Sequence, residues 1–122
     1  MSGTDYLADT NAIIYLLNGN DCMKPFLQKK LAVSVITFME LLSFPSLTVE
    51  EEKSIRQFLN LCEIITIDEQ IREKTIELRR INKIKLPDSI IAATAIAQGL
   101  SLITADTGFL KIRGLQVEKL EP

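Results

Sequence analysis

Four carboxylates in this sequence stand apart from its other charges. Asp9 is the only charged residue between Tyr6 and Asn20, Glu40 the only one between Leu31 and Val49, and Asp88 and Asp106 the only two between Leu86 and Leu110. A carboxylate in an apolar segment is drawn toward burial, and burying even a neutral polar group without a partner costs ~2–7 kcal/mol. No cation lies in these segments to offset that. Four acids within ~4–6 Å of one another would raise each other's pKa unless a divalent cation sat among them. An all-oxygen donor set suits Mg²⁺ or Mn²⁺ better than zinc. The chain contains no histidine, which removes imidazole acid–base chemistry, His-activated nucleophiles and His-ligated metals. Its two cysteines, Cys22 and Cys62, are too few and too far apart for a zinc finger, and no disulfide framework is expected. Any catalysis must use carboxylates, hydroxyls, lysine or a hard metal.

The elements that would position these acids are short and alternate in type. β-type runs fall at Tyr6 to Ala8, Ala32 to Val35, Ile64 to Ile67, Ser101 to Ile103 and Gln116 to Lys119, with helical segments between several of them. The pattern predicts an α/β fold, a central mostly parallel sheet flanked by helices. Asp9 ends the first run and Asp106 follows the fourth, so both fall at carboxyl ends of strands, where open α/β sheets bind ligands. Thr37 and Glu40 fit a capping box that would put Glu40 in the first turn of an apolar helix. Pro87 suits the first turn of another, with Asp88 beside it and Gly99 as its stop. Helices starting from one sheet edge would deliver all four acids to one cleft.

Each acid also has a purely local explanation. Asp9 could cap a helix beginning near Asn11, Glu40 could be the reciprocal partner of Thr37, Asp88 a favourable first-turn anion, and Asp106 a turn residue ahead of Thr107 and Gly108. Their joint isolation and placement are what point to a site. Elsewhere, Thr48 precedes Glu50, Glu51 and Glu52 at a helix start, and Asp68 can cap a helix running to about Ile81. One-sided apolar stripes at Ile55, Phe58, Leu59 and Cys62, and at Ile71, Ile76 and Leu78, mark surface helices. The segment from Pro87 to Ala97 is apolar nearly all round and should be buried.

With 122 residues, 47% hydrophobic and 25% charged, the chain reads as one domain over 1–122. The net charge of −2 does not advertise a nucleic-acid partner, which leaves that role to local patches. No apolar run approaches the ~20 residues of a membrane span, and the first ten residues lack a signal-peptide layout, so a cytoplasmic protein is expected.

At the isolated acids the sequence resembles the PIN-domain ribonucleases, especially the small VapC-type toxins of toxin–antitoxin pairs. Leu7 to Ile14, with Asp9-Thr10-Asn11 at its centre, is similar to the family's opening motif. Val35 to Leu42 resembles the second, Leu86 to Ala97 the third, and Thr104-Ala105-Asp106 followed by Phe109 the fourth, in the family's order and spacing. The resemblance implies a PIN-like fold and a Mg²⁺-dependent endoribonuclease, with Mn²⁺ able to substitute. Asp9, Asp88 and Asp106 would hold the metal, with Glu40 binding directly or through water. The ion would activate a water for in-line attack on the phosphate, with a 3′-hydroxyl leaving group. Thr10 and Asn11 would orient Asp9 and the metal waters, and Thr104 would contact a carboxylate or water. Where many relatives carry another acidic or amide group after the fourth-motif acid, this chain has Thr107 and Gly108, which weakens any second metal position.

RNA would be gripped by basic residues around the cleft. Arg79, Arg80, Lys83 and Lys85 precede the Asp88 helix, Lys111 and Arg113 follow Asp106, and Lys29 and Lys30 lead into the second strand. A solvated surface accounts for each cluster equally well. Few aromatics look exposed, so base stacking is not expected. By resemblance, the partners would be a second copy and a cognate antitoxin. Ile13 to Leu17 and a helical hairpin from Phe38 to Leu61 could form the antitoxin groove or pack the core. Two other readings compete. A haloacid-dehalogenase phosphatase wants Asp-x-Asp after the first strand, where this chain has Asn11, and a receiver domain wants adjacent acids, where Asp9 is flanked by Ala8 and Thr10. A catalytically weak PIN scaffold that only binds RNA or protein would not need intact carboxylates.

Overall fold

The strands Tyr6–Ala8 (β1), Leu31–Ser34 (β2), Glu63–Ile65 (β3), Ser101–Thr104 (β4) and Val117–Lys119 (β5) form one sheet in the order β3-β2-β1-β4-β5. Every neighbouring pair is parallel, so the expected mostly parallel sheet is parallel throughout. The computed structural model describes residues 3–122, and the first two residues of the expected 1–122 unit lie outside it. The helices are Thr10–Leu17 (α1), Val35–Leu42 (α2), Val49–Leu59 (α3), Glu69–Ile81 (α4) and Leu86–Gln98 (α5), with 3₁₀ turns at Asp21–Phe26 and Thr107–Lys111.

A parallel sheet must be covered on both faces, and its central strands are correspondingly apolar. In register, Leu7 lies beside Ala32 and Leu102, and Ala8 beside Ile103. Successive strand residues point to opposite faces. Leu7, Ala32 and Leu102 thus pack with Ile71, Leu78 and Ile91 of α4 and α5, while Ala8, Val33 and Ile103 pack with Ile13, Leu41, Ile55 and Leu59 of α1 to α3. The chain lays β2 and β3 on one side of β1 and then crosses to lay β4 and β5 on the other. The switch between β1 and β4 leaves a crevice at their carboxyl ends.

Most helix starts follow the sequence signals. Asp68 accepts from Ile71 N at 2.8 Å, and Thr48 with Glu51 forms a reciprocal capping box. Gly99 ends α5 in the left-handed conformation, φ 68°, which favours glycine. The capping box expected at Thr37 and Glu40 is not formed. Ser34 caps α2 instead, accepting from Ile36 N at 3.1 Å, so the helix starts at Val35, Thr37 is fully buried inside it and Glu40 sits in its second turn. Val35 accordingly belongs to α2 and not to the strand. β3 spans Glu63–Ile65 rather than Ile64 to Ile67 because its ladder is limited to Ala32, Val33 and Ser34 of β2. On α4, Thr75 takes the buried position between Ile71 and Leu78 by donating its hydroxyl to Ile71 O, whereas Ile76 is 42% exposed.

Candidate active site

All four isolated acids line one cavity of about 430 Å³ at the carboxyl edge of the sheet. Asp9 comes from the end of β1, Glu40 from α2, Asp88 from the first turn of α5 and Asp106 from just beyond β4. Thr10, Asn11, Ser43, Phe44, Ile91 and Phe109 complete the walls.

Asp9 is the deepest of the acids, 6% exposed. It serves as the N-cap of α1 through a bond from Ala12 N to Oδ1 at 2.9 Å, while Oδ2 accepts from Thr104 Oγ1 at 2.5 Å. Burial pushes its pKa above the ordinary value, and the charges of Asp88 and Asp106 add to that. The bonds from Thr104 and Ala12 pull it back only in part. Thr104 lies beneath the cavity, fully buried, and its Oγ1 also accepts from Asp106 N at 3.0 Å. One hydroxyl thereby ties the ends of β1 and β4 together.

Asp88 is half-buried, and its pKa is raised first by that burial and then by Asp106 and Glu40, with Lys85 opposing. Asp106 is exposed and caps the 3₁₀ turn that follows it, Oδ1 accepting from Gly108 N at 2.8 Å. A Cβ at position 108 would stand 3.1 Å from that oxygen, so glycine leaves the carboxylate room. Glu40 Oε1 accepts from Thr10 Oγ1, which also meets Thr37 Oγ1 at 3.1 Å. The capping uses foreseen for Asp9 and Asp106 are therefore real, and both acids face the cavity as well.

None of the ion pairs among the described residues involves any of the four acids. The cleft thus gathers negative charge, opposed at Asp88 by Lys85. Its donors are hard carboxylate and hydroxyl oxygens, the chemistry that Mg²⁺ and Mn²⁺ prefer. Among the described residues no three acids stand close enough together to enclose an ion as they are. Asp9, Asp106 and Glu40 each spend an oxygen on an amide or hydroxyl of their own wall.

The basic residues separate into two groups. Lys83, Lys85 and Lys111 line a second cavity of about 260 Å³ that shares Asp88, Asp106 and Phe109 with the first. Arg79 and Arg80 in the last turn of α4, Arg113, and Lys29 and Lys30 before β2 line neither. Sequence reasoning named Thr37 and Phe109 only as members of motifs, and missed Ser43 and Phe44 of the cavity wall. Thr37 was detectable as the residue one helical turn before Glu40. Few aromatics were expected to be exposed, and Phe44, 45% exposed, is one that places its ring on the cleft wall.

Compared with known protein families, residues 6–115 match the PIN domain. The chain belongs to the PIN-domain family. Solved structural neighbours include a toxin–antitoxin complex from Klebsiella pneumoniae, with 37% identity over 94% of this chain and 97% of that one and a TM-score of 0.82. VapBC2 from Rickettsia felis, bound to a DNA fragment from its promoter, is 26% identical over 95% and 98% of the two chains, TM-score 0.82. VapBC-1 from nontypeable Haemophilus influenzae is 26% identical over 93% and 96%, TM-score 0.80. No curated protein matches the sequence. PIN domains are generally nucleases that use divalent metal ions, and the acid cleft falls within the matched span. Among the described residues no helix is long and apolar enough to cross a membrane.

Proposed function

We propose that this PIN domain is a Mg²⁺-dependent endoribonuclease, the cytoplasmic toxin of a toxin–antitoxin pair, and that 1–122 is one nuclease domain acting as a homodimer. The observation that carries the reading is the convergence of Asp9, Glu40, Asp88 and Asp106 from four separate segments on one cleft that the protein leaves strongly negative. Asp9, Asp88 and Asp106 would hold Mg²⁺ or Mn²⁺, with Glu40 binding directly or through water. When bound, such an ion supplies a water of lowered pKa and charge neutralisation at a phosphate.

The chain's own residues prepare the site. Thr104 and Ala12 N fix the Asp9 carboxylate, Gly108 N orients Asp106, and Thr10 orients Glu40. Asn11 stands on the cleft wall, where its amide can orient water or a phosphate oxygen. For the partner, an apolar groove of about 500 Å³ runs between Ile14 and Leu17 of α1, Leu41 of α2, Leu47 of the connection that follows it and Ile55 of α3, with Glu50 and Glu51 among its lining residues. A cognate antitoxin segment with apolar and basic side chains fits that lining, and the solved neighbours that are toxin–antitoxin complexes support it.

The test is cleavage with end analysis. Asp106→Asn keeps the shape of the side chain and loses its charge, and should abolish Mg²⁺-dependent RNA cleavage with the fold retained. Wild-type fragments should carry 5′-phosphate and 3′-hydroxyl ends. Cyclic phosphate as the main end, or an Asp106→Asn protein that cuts at the wild-type rate, would refute the proposal.

A further inference from the structure

The second cavity is a groove with its own charge character. Its lysines come from two separate segments, Lys83 and Lys85 from the connection between α4 and α5 and Lys111 from the 3₁₀ turn after β4. All three are exposed, and none is in an ion pair among the described residues. Lys111 Nζ donates to Lys83 O at 3.3 Å, which joins the two segments across the groove. Three cations face two acids there, Asp88 and Asp106, and those acids are the wall the groove shares with the carboxylate cleft. An anion entering the groove meets net positive charge immediately beside the cleft. The other end of the cleft, at Glu40, Ser43 and Phe44, has no lysine or arginine among its lining residues. The cleft is thus electrostatically asymmetric along its length.

We infer that the groove of Lys83, Lys85 and Lys111 seats a phosphate of the RNA strand that is not itself attacked, on the Asp88 and Asp106 side of the bond being cut. The inference rests on the ribonuclease reading and adds to it which cations grip the strand and on which side. It also removes Arg79 and Arg80 from that role, because they line neither cavity. Phosphate contacts of this kind fix register without reading sequence, and each releases counterions from the strand.

The experiment is a salt titration of binding, without cleavage. A fluorescein-labelled, mixed-sequence single-stranded RNA of about ten nucleotides is titrated with the full chain in chelator, and the logarithm of affinity is plotted against the logarithm of salt concentration. For single strands each phosphate contact adds ~0.7 to the magnitude of the slope. The double variant Lys83→Gln with Lys111→Gln should reduce that magnitude by about 0.7, the loss of the one phosphate contact the groove provides. Lys83→Arg with Lys111→Arg should restore it, since charge and not side-chain shape is at issue. Lys53→Gln, an exposed lysine of α3 lining neither cavity, should leave it unchanged. An unaltered slope in the double Gln variant, with wild type binding normally, overturns the groove assignment and leaves the nuclease reading standing. Failure of wild type both to bind and to cut RNA overturns the two together.

Discussion

Replacing Asp88 by Asn should raise the stability of the metal-free protein and blunt its response to Mn²⁺. In an ordinary helix a first-turn carboxylate is favourable by ~0.3–1 kcal/mol, so the same change would lower stability. Asp88 occupies such a turn, yet burial, Asp106 and Glu40 together hold its pKa above the ordinary 3.8 against the opposing charge of Lys85. The folded state disfavours the ionised form, and a neutral side chain of the same shape relieves it. The metal term can be sized. An ion that binds only the folded chain, at 100 times its Kd, adds about 2.7 kcal/mol. At ~2.1 cal/mol/K per residue, 122 residues give an unfolding entropy of about 0.26 kcal/mol/K, so each kcal/mol moves the midpoint by about 4 °C. Wild type should therefore gain about 10 °C with Mn²⁺ at that excess. A tenfold weaker Kd in Asp88→Asn would take about 1.4 kcal/mol, or roughly 5 °C, from the response. Thermal scans of both proteins in chelator and in Mn²⁺ give the four midpoints. Equal metal responses, with a lower metal-free midpoint in the variant, would mean that Asp88 is only a helix-start anion.

Two further outcomes are expected. Asp9 and Asp88 both have raised pKa values, so above about pH 4 the folded protein holds protons that the unfolded chain has released, and their contribution to stability falls as pH rises until both are ionised. The metal-free midpoint difference between wild type and Asp88→Asn should accordingly be smallest near pH 4 and widen toward neutrality, and a constant difference would refute the assignment. Thr104→Val leaves Asp9 Oδ2 buried without its hydroxyl donor and should cost about 1–3 kcal/mol, roughly 4–12 °C, with Thr104→Ser recovering most of it; a valine variant as stable as wild type would remove Thr104 from the positioning role.

The acids were legible in the sequence because an isolated charge in an apolar segment has few explanations, and the parallel topology because strand and helix patterns alternate. The errors lie where two local solutions compete. Ser34 and Thr37 both suit a cap, and the helix took the earlier hydroxyl, which freed Thr37 to face Thr10 beside Glu40. Ile76 looked like part of an apolar stripe, yet a threonine that can bond its own helix backbone filled the buried position. Phe44 sits in a segment whose apolar neighbours suggest core, and nothing in its own surroundings signals that it ends on a cleft wall. The basic clusters could not be sorted by sequence proximity to the acids. Arg79 and Arg80 precede Asp88 by only eight or nine positions yet line neither cavity, and Lys111 reaches the groove through a different segment.

The first strand of the chain is the middle strand of its sheet, and this orders events during synthesis. Asp9 leaves the ribosome before its partners do: its side chain waits for Thr104, 95 residues later, and its backbone N–H for the carbonyl of Ile103. At ~5–20 residues per second that interval is about 5–20 s. A nascent chain ending in α5 already carries Asp9, Glu40 and Asp88, but it lacks β4, the hydroxyl that fixes the first acid and the fourth acid altogether. The four-acid cleft is therefore complete only once β4 and Asp106 have been made, whereas every residue lining the α1 to α3 groove, from Ile14 to Ile55, precedes them. On the proposed reading, a partner synthesised beforehand would find its seat on the emerging chain before the four acids are together.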